Sequence, residues 1–154
     1  MKLSKNFSLA EMLKSQTAER KGIPNEPTDE HIKCMKILAK NILQPIRNEF
    51  GSFIVSSGYR SPELCIAIGS NIHSQHAKGE AADFEVAGVD NYDLALWIQE
   101  NLDFDQLILE CYTGGNSGWI HCSHTWEDNR GQTLTYDRAN GYRDGLLRLS
   151  LIHI

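Results

Sequence analysis

A histidine, a glycine and an aspartate stand close together in the segment SQHAKGEAADFEV, residues 74–86. His76 precedes Asp83 by seven residues, with Gly79 and Ala81 between them. A tight turn through Gly79 can bring the histidine beside the aspartate, because small residues let the backbone pass close. A catalytic zinc site takes three protein ligands from His, Asp, Glu or Cys and leaves the fourth position to water. His76 and Asp83 can therefore supply two zinc ligands.

A third ligand can come from WIHCS, residues 119–123. Alternate side chains of a strand share a face, so Trp119, His121 and Ser123 are expected to point the same way. Glu110 ends FDQLILE, across a proposed hairpin, and a carboxylate there can accept a proton from metal-bound water during hydrolysis. Taken singly, each histidine favours a structural or surface role. The combination is what indicates a metal site.

Helical patterns supply part of the scaffold. SLAE, residues 8–11, is a capping box that begins a short helix. Thr28 can cap a longer helix with apolar residues on one face, which Pro45 is expected to kink or end. SPEL, residues 61–64, has a proline in the first turn of another helix. The segment from Asn91 has an N-cap and apolar residues at helical spacing, which predicts a further helix.

Strand patterns supply the rest of the scaffold. The predicted strands are FIVSSG (53–58), ADFEV (82–86), FDQLILECY (104–112), WIHCS (119–123) and, as a short addition, QTLTY (132–136). TGGNSG, residues 113–118, suits a hairpin turn. Because helices come first and an antiparallel sheet dominates the second half, the order predicts an α+β domain rather than a doubly wound one.

Composition limits the class of protein. The chain has 154 residues, of which 41% are hydrophobic, as expected for one domain with a real core. A net charge of −5 with scattered basic residues argues against nucleic-acid binding. No apolar run resembles a secretory signal or a membrane span. We therefore expect a monomer that is made in a cytoplasm without contact to membranes and whose four cysteines are free thiols.

The last six residues, LSLIHI (149–154), correspond to a translated transposon adapter that is used in preparing sequencing libraries. We expect that this segment is an artefact and that the native C-terminus is missing. One domain is accordingly assigned to residues 1–148.

Three motifs together resemble those of the D-Ala-D-Ala carboxypeptidase family of zinc peptidases, peptidase family M15. The motifs are SGYRSP (57–62), SQHAKGEAAD (74–83), and FDQLILE (104–110) followed by WIHCS (119–123). In order, spacing and residue type they are most similar to the small, phage-associated members. The resemblance covers nearly the whole chain, to about Tyr136. It implies the hedgehog/DD-peptidase fold, with N-terminal helices packed on a mainly antiparallel sheet.

The resemblance also implies a set of site residues. His76, Asp83 and His121 would be ligands of Zn²⁺, and Glu110 would be the general base. Arg60 would bind the substrate carboxylate or stabilise the oxyanion, a task that suits a planar, permanently charged guanidinium. Ser74, which begins the histidine motif, would hydrogen-bond the substrate.

One position departs from the vancomycin-resistance dipeptidase branch of the family. That branch has its catalytic glutamate three residues before the last histidine, where this chain has Gly118. The base must come from elsewhere, and Glu110 fits if the glycine-rich turn folds back and pairs the strands. Glu85 is the weaker alternative, because alternation places it on the same strand face as Asp83.

The activity implied by the resemblance is zinc-dependent hydrolysis of D-alanyl bonds in peptidoglycan stem peptides. Two alternatives stay open: an endolysin-type endopeptidase that cuts inside the stem or cross-bridge, and a non-catalytic zinc-binding structural or virion module. Since an export signal is missing, the protein would reach the cell wall after release from the cell or as a virion component.

Overall fold

The computed structural model describes residues 1–148, so the adapter hypothesis for residues 149–154 concerns a segment outside the described part. Helices and short strands fill the first half of the chain, and strands fill most of the second. In chain order the elements are β1 (Lys2–Ser4), β2 (Phe7–Ser8), α1 (Leu9–Leu13), α2 (Gln16–Lys21), α3 (Asp29–Leu38), a π-helical turn (Ala39–Leu43), α4 (Gln44–Phe50), β3 (Ile54–Ser57), α5 (Pro62–Ala67), a 3₁₀ turn (Gln75–Lys78), β4 (Ala81–Glu85), α6 (Asn91–Asn101), β5 (Gln106–Glu110), β6 (Trp119–Ser123), β7 (Gln132–Asp137) and β8 (Gly141–Asp144).

The main sheet has six strands in the order β3-β4-β6-β5-β7-β8. Every neighbouring pair is antiparallel except β5 and β7, which are parallel. β1 and β2 form a separate two-stranded sheet. An α+β fold with a mainly antiparallel sheet is therefore confirmed, while the closer likeness to the hedgehog/DD-peptidase fold stays a prediction.

Three helix starts follow the predicted caps at Ser8, Thr28 and Ser61, whereas the cap of α6 is Asp90 rather than the predicted Asn91. Ser8 and Glu11 form both hydrogen bonds of the capping box, and Thr28 caps α3 by accepting a hydrogen bond from the backbone of His31. Ser61 caps α5, and Asp90 caps α6 through two backbone amides. Each of these caps satisfies amides that a helix end leaves unpaired, which stabilises the element by about 0.5–2 kcal/mol.

The helical path does not end at Pro45. A π-helical turn occupies the five residues Ala39–Leu43, and the Gln44 N–H donates to the Ala39 carbonyl. Pro45 then stands in the first turn of α4, where its lack of an N–H is tolerated. The backbone thus accommodates the proline by a local change of hydrogen-bond spacing, and the helix continues to Phe50.

The helices cover one face of the sheet. Phe84 of β4 and Ile120 of β6 are fully buried and lie opposite each other in register. They share the hydrophobic core with Met35 and Leu38 of α3. A buried aliphatic or aromatic side chain of this size contributes about 1.5–3 kcal/mol to folding. The alternate residues of β4 and β6 consequently face the other side of the sheet.

No helix in the described part of the chain combines the length and apolar character needed to cross a membrane. All four cysteines are free thiols, as predicted, and three of them are buried: Cys34, Cys65 and Cys122.

Candidate metal centre

Strand register brings two of the predicted ligands together. Asp83 of β4 and His121 of β6 are directly opposite each other in the antiparallel pair. His76 lies in the 3₁₀ turn that precedes β4. One ligand atom from each of these three residues lies within 4.8 Å of the other two. The structure therefore assembles His76, Asp83 and His121 into one cluster.

The separations within the cluster suit a zinc ion. Asp83 Oδ1 lies 3.0 Å from His121 Nδ1 and 3.3 Å from His76 Nε2. Two N or O ligands at about 2.0–2.1 Å from a tetrahedral zinc are themselves about 3.4 Å apart. The donor set of two imidazoles and a carboxylate, with a fourth position left for water, also matches a catalytic zinc site. These residues fit the metal that the resemblance implies.

The backbone before β4 selects which nitrogen of His76 faces the cluster. His76 Nδ1 lies 2.8 Å from the Gly58 carbonyl oxygen, so Nδ1 donates to that oxygen and Nε2 is the nitrogen directed at Asp83, where it can bind a metal once it has lost its own proton. The turn that follows needs Gly79, whose φ is +77°. A Cβ there would lie 2.6 Å from the His31 carbonyl oxygen of α3. The glycine turn predicted from the sequence is therefore required by both conformation and packing.

Asp83 is a strongly held carboxylate. Burial raises its pKa, but hydrogen bonds from His121 and His76 outweigh that effect and keep the pKa well below the usual range. Its second oxygen, Oδ2, accepts from Arg60 Nη2 at 3.4 Å. Asp83 is therefore negatively charged near neutral pH, as a metal ligand must be.

Arg60 is directed toward the ligand Asp83. Besides that contact, its Nε donates to Ser57 Oγ at 3.0 Å, and its side chain is 19% exposed. The predicted role of Arg60 in binding a substrate carboxylate or an oxyanion stays a prediction, because its guanidinium is engaged with protein groups in this structure.

Glu110 ends β5 opposite Trp119 of β6. Trp119 Nε1 donates to Glu110 Oε2 at 2.9 Å, which leaves Oε1 for another partner. Burial and the negative charge of Asp83 raise the pKa of Glu110. A carboxyl group whose pKa is raised toward neutrality is better suited to general acid–base work than an ordinary one. The hairpin thus places Glu110 close enough to the cluster for the charge of Asp83 to affect its pKa. The catalytic role of Glu110 stays a prediction.

Gly118 explains why no glutamate can stand three residues before His121. Its φ is +66°, and an added Cβ would overlap the Glu110 carbonyl oxygen and lie 2.7 Å from the carbonyl oxygen of Cys111. The backbone of β5 therefore occupies the space of any side chain at this position.

Glu85 lies away from the cluster. It is exposed, pairs with Ile54 and lines a separate depression together with Phe53. The structure does not bring it beside the predicted ligands.

A groove of about 660 Å³ runs past His121 and Glu110. It is lined by His73, Ser74, Gln75, Lys78, Glu80, Asp105, Gln106, Ile108, Glu110, His121, Thr125, Asp128, Arg130 and Tyr142. The hydroxyl of Ser74 is buried and finds no hydrogen-bond partner within residues 1–148. A hydrogen bond to a substrate would satisfy it, in keeping with the predicted role of Ser74.

Sequence patterns gave no sign of three groove residues, Asp105, Arg130 and Tyr142. Arg130 lies in a loop without periodicity, and it reaches Asp105 because Gln132 of β7 pairs with Gln106 of β5. The motif spacing contains no signal for such a contact between distant segments.

A comparison with models of protein families gives a match over most of the chain. A family model described as Peptidase M15 matches residues 5–123, which include all three clustered ligands and Glu110. A search of the curated proteins finds no match.

Proposed function

Because the chain belongs to the peptidase M15 family, we propose that it is a zinc-dependent peptidase that hydrolyses D-alanyl bonds in peptidoglycan stem peptides. The observation that carries the proposal is the His76, Asp83 and His121 cluster, whose ligand atoms lie within 4.8 Å of one another. Glu110 and His121 line the same groove, so the cluster is accessible to a peptide.

The residues of the chain divide the work of hydrolysis among them. His76 Nε2, Asp83 Oδ1 and His121 Nδ1 would hold the zinc. When bound, a zinc ion in such a site makes water more acidic and polarises the carbonyl under attack. Glu110 would take the proton of the attacking water on Oε1, because Trp119 holds Oε2. The same carboxyl group would then return that proton to the leaving amine.

Other groups would position the substrate. The Ser74 hydroxyl is buried without a partner inside residues 1–148 and would donate to, or accept from, the peptide backbone. Arg60, at Asp83 Oδ2, would stabilise charge that develops beside the cluster. In the balanced reaction the amide C–N bond breaks, the hydroxyl of water goes to the carbonyl carbon, and its remaining proton goes to the amine nitrogen.

The proposal is tested by D-Ala release from a peptide that ends in D-Ala-D-Ala, followed by mass spectrometry. Zinc-loaded native protein should release D-Ala, and Glu110→Gln should release none while keeping its zinc. Glu85→Gln is the matched control, because it removes an exposed carboxylate outside the groove, and it should retain activity. Release by Glu110→Gln at the native rate would refute the assignment of the base, and cleavage only at internal bonds would refute the carboxypeptidase specificity.

A further inference from the structure

An arginine in the groove is held in place by a buried carboxylate. Asp105 is only 2% exposed, whereas the side chain of Arg130 is 57% exposed. Arg130 Nε donates to Asp105 Oδ1 at 2.9 Å, and Nη2 donates to Oδ2 at 2.7 Å. The Arg130 backbone N–H also donates to Oδ1, at 3.0 Å. This paired contact fixes the guanidinium plane.

The opposite end of the guanidinium remains available. The side chain of Arg130 contacts protein groups of residues 1–148 through Nε and one hydrogen of Nη2, so Nη1 and the second hydrogen of Nη2 have no protein partner among these residues. These two nitrogens form the other fork of an arginine, which matches the two oxygens of a carboxylate. Because Asp105 already holds the plane, little side-chain entropy would be lost when that fork binds a ligand.

The same aspartate is tied to both segments that carry the predicted metal ligands. Gln75, directly before His76, donates to Asp105 Oδ2 at 2.9 Å through Nε2. The Asp105 backbone N–H donates to the carbonyl oxygen of Ser123 at 2.8 Å, two residues after His121. Asp105 therefore holds Arg130 in a defined position relative to the cluster.

We propose that Arg130 binds a carboxylate of the peptide substrate and thereby selects peptides that carry a free carboxylate. The inference rests on the proposed peptidase function. Arg60 is engaged with Asp83 and Ser57, whereas Arg130 lines the groove and keeps one fork of its guanidinium unengaged within the described residues. Lys78 also lines the groove and adds positive charge.

Two observations bear on the selectivity of this site. Arg130 lies beyond residues 5–123, the part that matches the family model, whereas Asp105, which holds it, lies within that part. Asp128 also lines the groove and is an acidic competitor for the arginine. It is exposed, so it can return to solvent when a substrate carboxylate binds.

The test measures binding, so that it does not depend on turnover. In the zinc-loaded Glu110→Gln protein, calorimetry gives the dissociation constants of a stem peptide ending in D-Ala-D-Ala, of its C-terminal amide, and of a form with its acidic side chain amidated. The unmodified peptide should bind about 10-fold to 100-fold more tightly than one of the two amides. Which amide loses affinity identifies the carboxylate that Arg130 binds.

Adding Arg130→Gln to this protein should abolish the preference for the unmodified peptide. The amide that binds weakly to the Glu110→Gln protein should bind with the same affinity after the second substitution. Arg138→Gln is the matched control, since it removes an equal charge from an exposed position in the turn between β7 and β8, and it should keep the preference. A preference that survives Arg130→Gln would place the carboxylate elsewhere and overturn the inference, as would equal binding of all three peptides.

Arg130→Lys keeps a cation beside Asp105 and guards against a folding defect in the glutamine variant. Its midpoint of thermal unfolding should lie close to that of the native protein. It should still lose the preference for the unmodified peptide, because lysine has no pair of nitrogens that matches a carboxylate. Native-like discrimination by the lysine variant would overturn the inference. If the native protein hydrolyses no peptide yet shows an Arg130-dependent preference, the proposed function fails and the carboxylate site stands. If it hydrolyses the peptide without such a preference, the carboxylate site fails and the proposed function stands.

Discussion

Replacement of Gly118 by alanine tests whether the backbone of the tight hairpin between β5 and β6 leaves no room for a side chain at this position. At φ +66° an alanine is strained by about 1–2 kcal/mol. Its Cβ would also overlap the Glu110 carbonyl oxygen and lie 2.7 Å from the Cys111 carbonyl oxygen. Backbone shifts that relieve such overpacking cost about 1–3 kcal/mol. We expect Gly118→Ala to lower the free energy of unfolding by about 2–5 kcal/mol.

Gly115 in the same turn offers a matched control. Its φ is +56°, but an added Cβ meets no atom within 4 Å. Gly115→Ala should therefore cost only the conformational strain of about 1–2 kcal/mol. Urea denaturation of the two metal-free variants gives the difference directly. Equal losses in the two variants would show that the strand backbone does not crowd Gly118, and the explanation for the missing glutamate would be wrong.

Three further changes have defined outcomes. The hydrogen bonds from Arg130 lower the pKa of Asp105 from 3.8 to about 2, so Asp105→Asn should cost about 2 kcal/mol at pH 7. A lowered pKa stabilises the fold above pH 3.8 and loses that effect as the pH falls toward 2. The difference in the free energy of unfolding between the native protein and Asp105→Asn, measured by urea denaturation, should therefore decrease as the pH falls from 3.8 toward 2. A difference that stays constant with pH would contradict the ion pair. Trp119→Phe removes the donor to Glu110 Oε2. It should lower kcat by about 10-fold, which corresponds to about 1.4 kcal/mol, and leave the zinc content unchanged. A kcat equal to that of the native protein would show that this contact does not orient the base. Thr28→Ala removes the cap of α3 and should cost about 1 kcal/mol in thermal unfolding, and no loss would mean that the cap is replaced by solvent.

Local patterns placed the separate parts of the metal cluster, whereas the pairing of β4 with β6 that sets Asp83 opposite His121 joins distant segments and was expected from the combination of residues and the family resemblance. Alternation along WIHCS separates His121 from the buried Ile120, as the period of a strand requires. The glycine-rich turn pairs β5 with β6 as predicted and sets Glu110 opposite Trp119. His76 joins them through a turn that only a glycine at position 79 allows.

Contacts between distant segments that carry no motif were not predictable from the sequence. The parallel pairing of β5 and β7 is decided by packing of the whole sheet, and without it the contact of Asp105 with Arg130 cannot be anticipated. β8, with the sequence GYRD, has no apolar alternation, so no strand was predicted there. Pro45 indicated a kink or an end, and the end was wrong because a π-helical turn before it let the helix continue. Tertiary packing decides such cases over local preference.

The central claim is that His76, Asp83 and His121 bind zinc, and the most direct test is the zinc content of protein that has been stripped with a chelator and reloaded. Native protein and Glu110→Gln should each retain about one zinc ion per chain, as expected for a three-ligand site with water in the fourth position. Asp83→Ala and His121→Ala should retain little or none after dialysis. Absence of zinc from the native protein, or full retention by the ligand variants, would contradict the account.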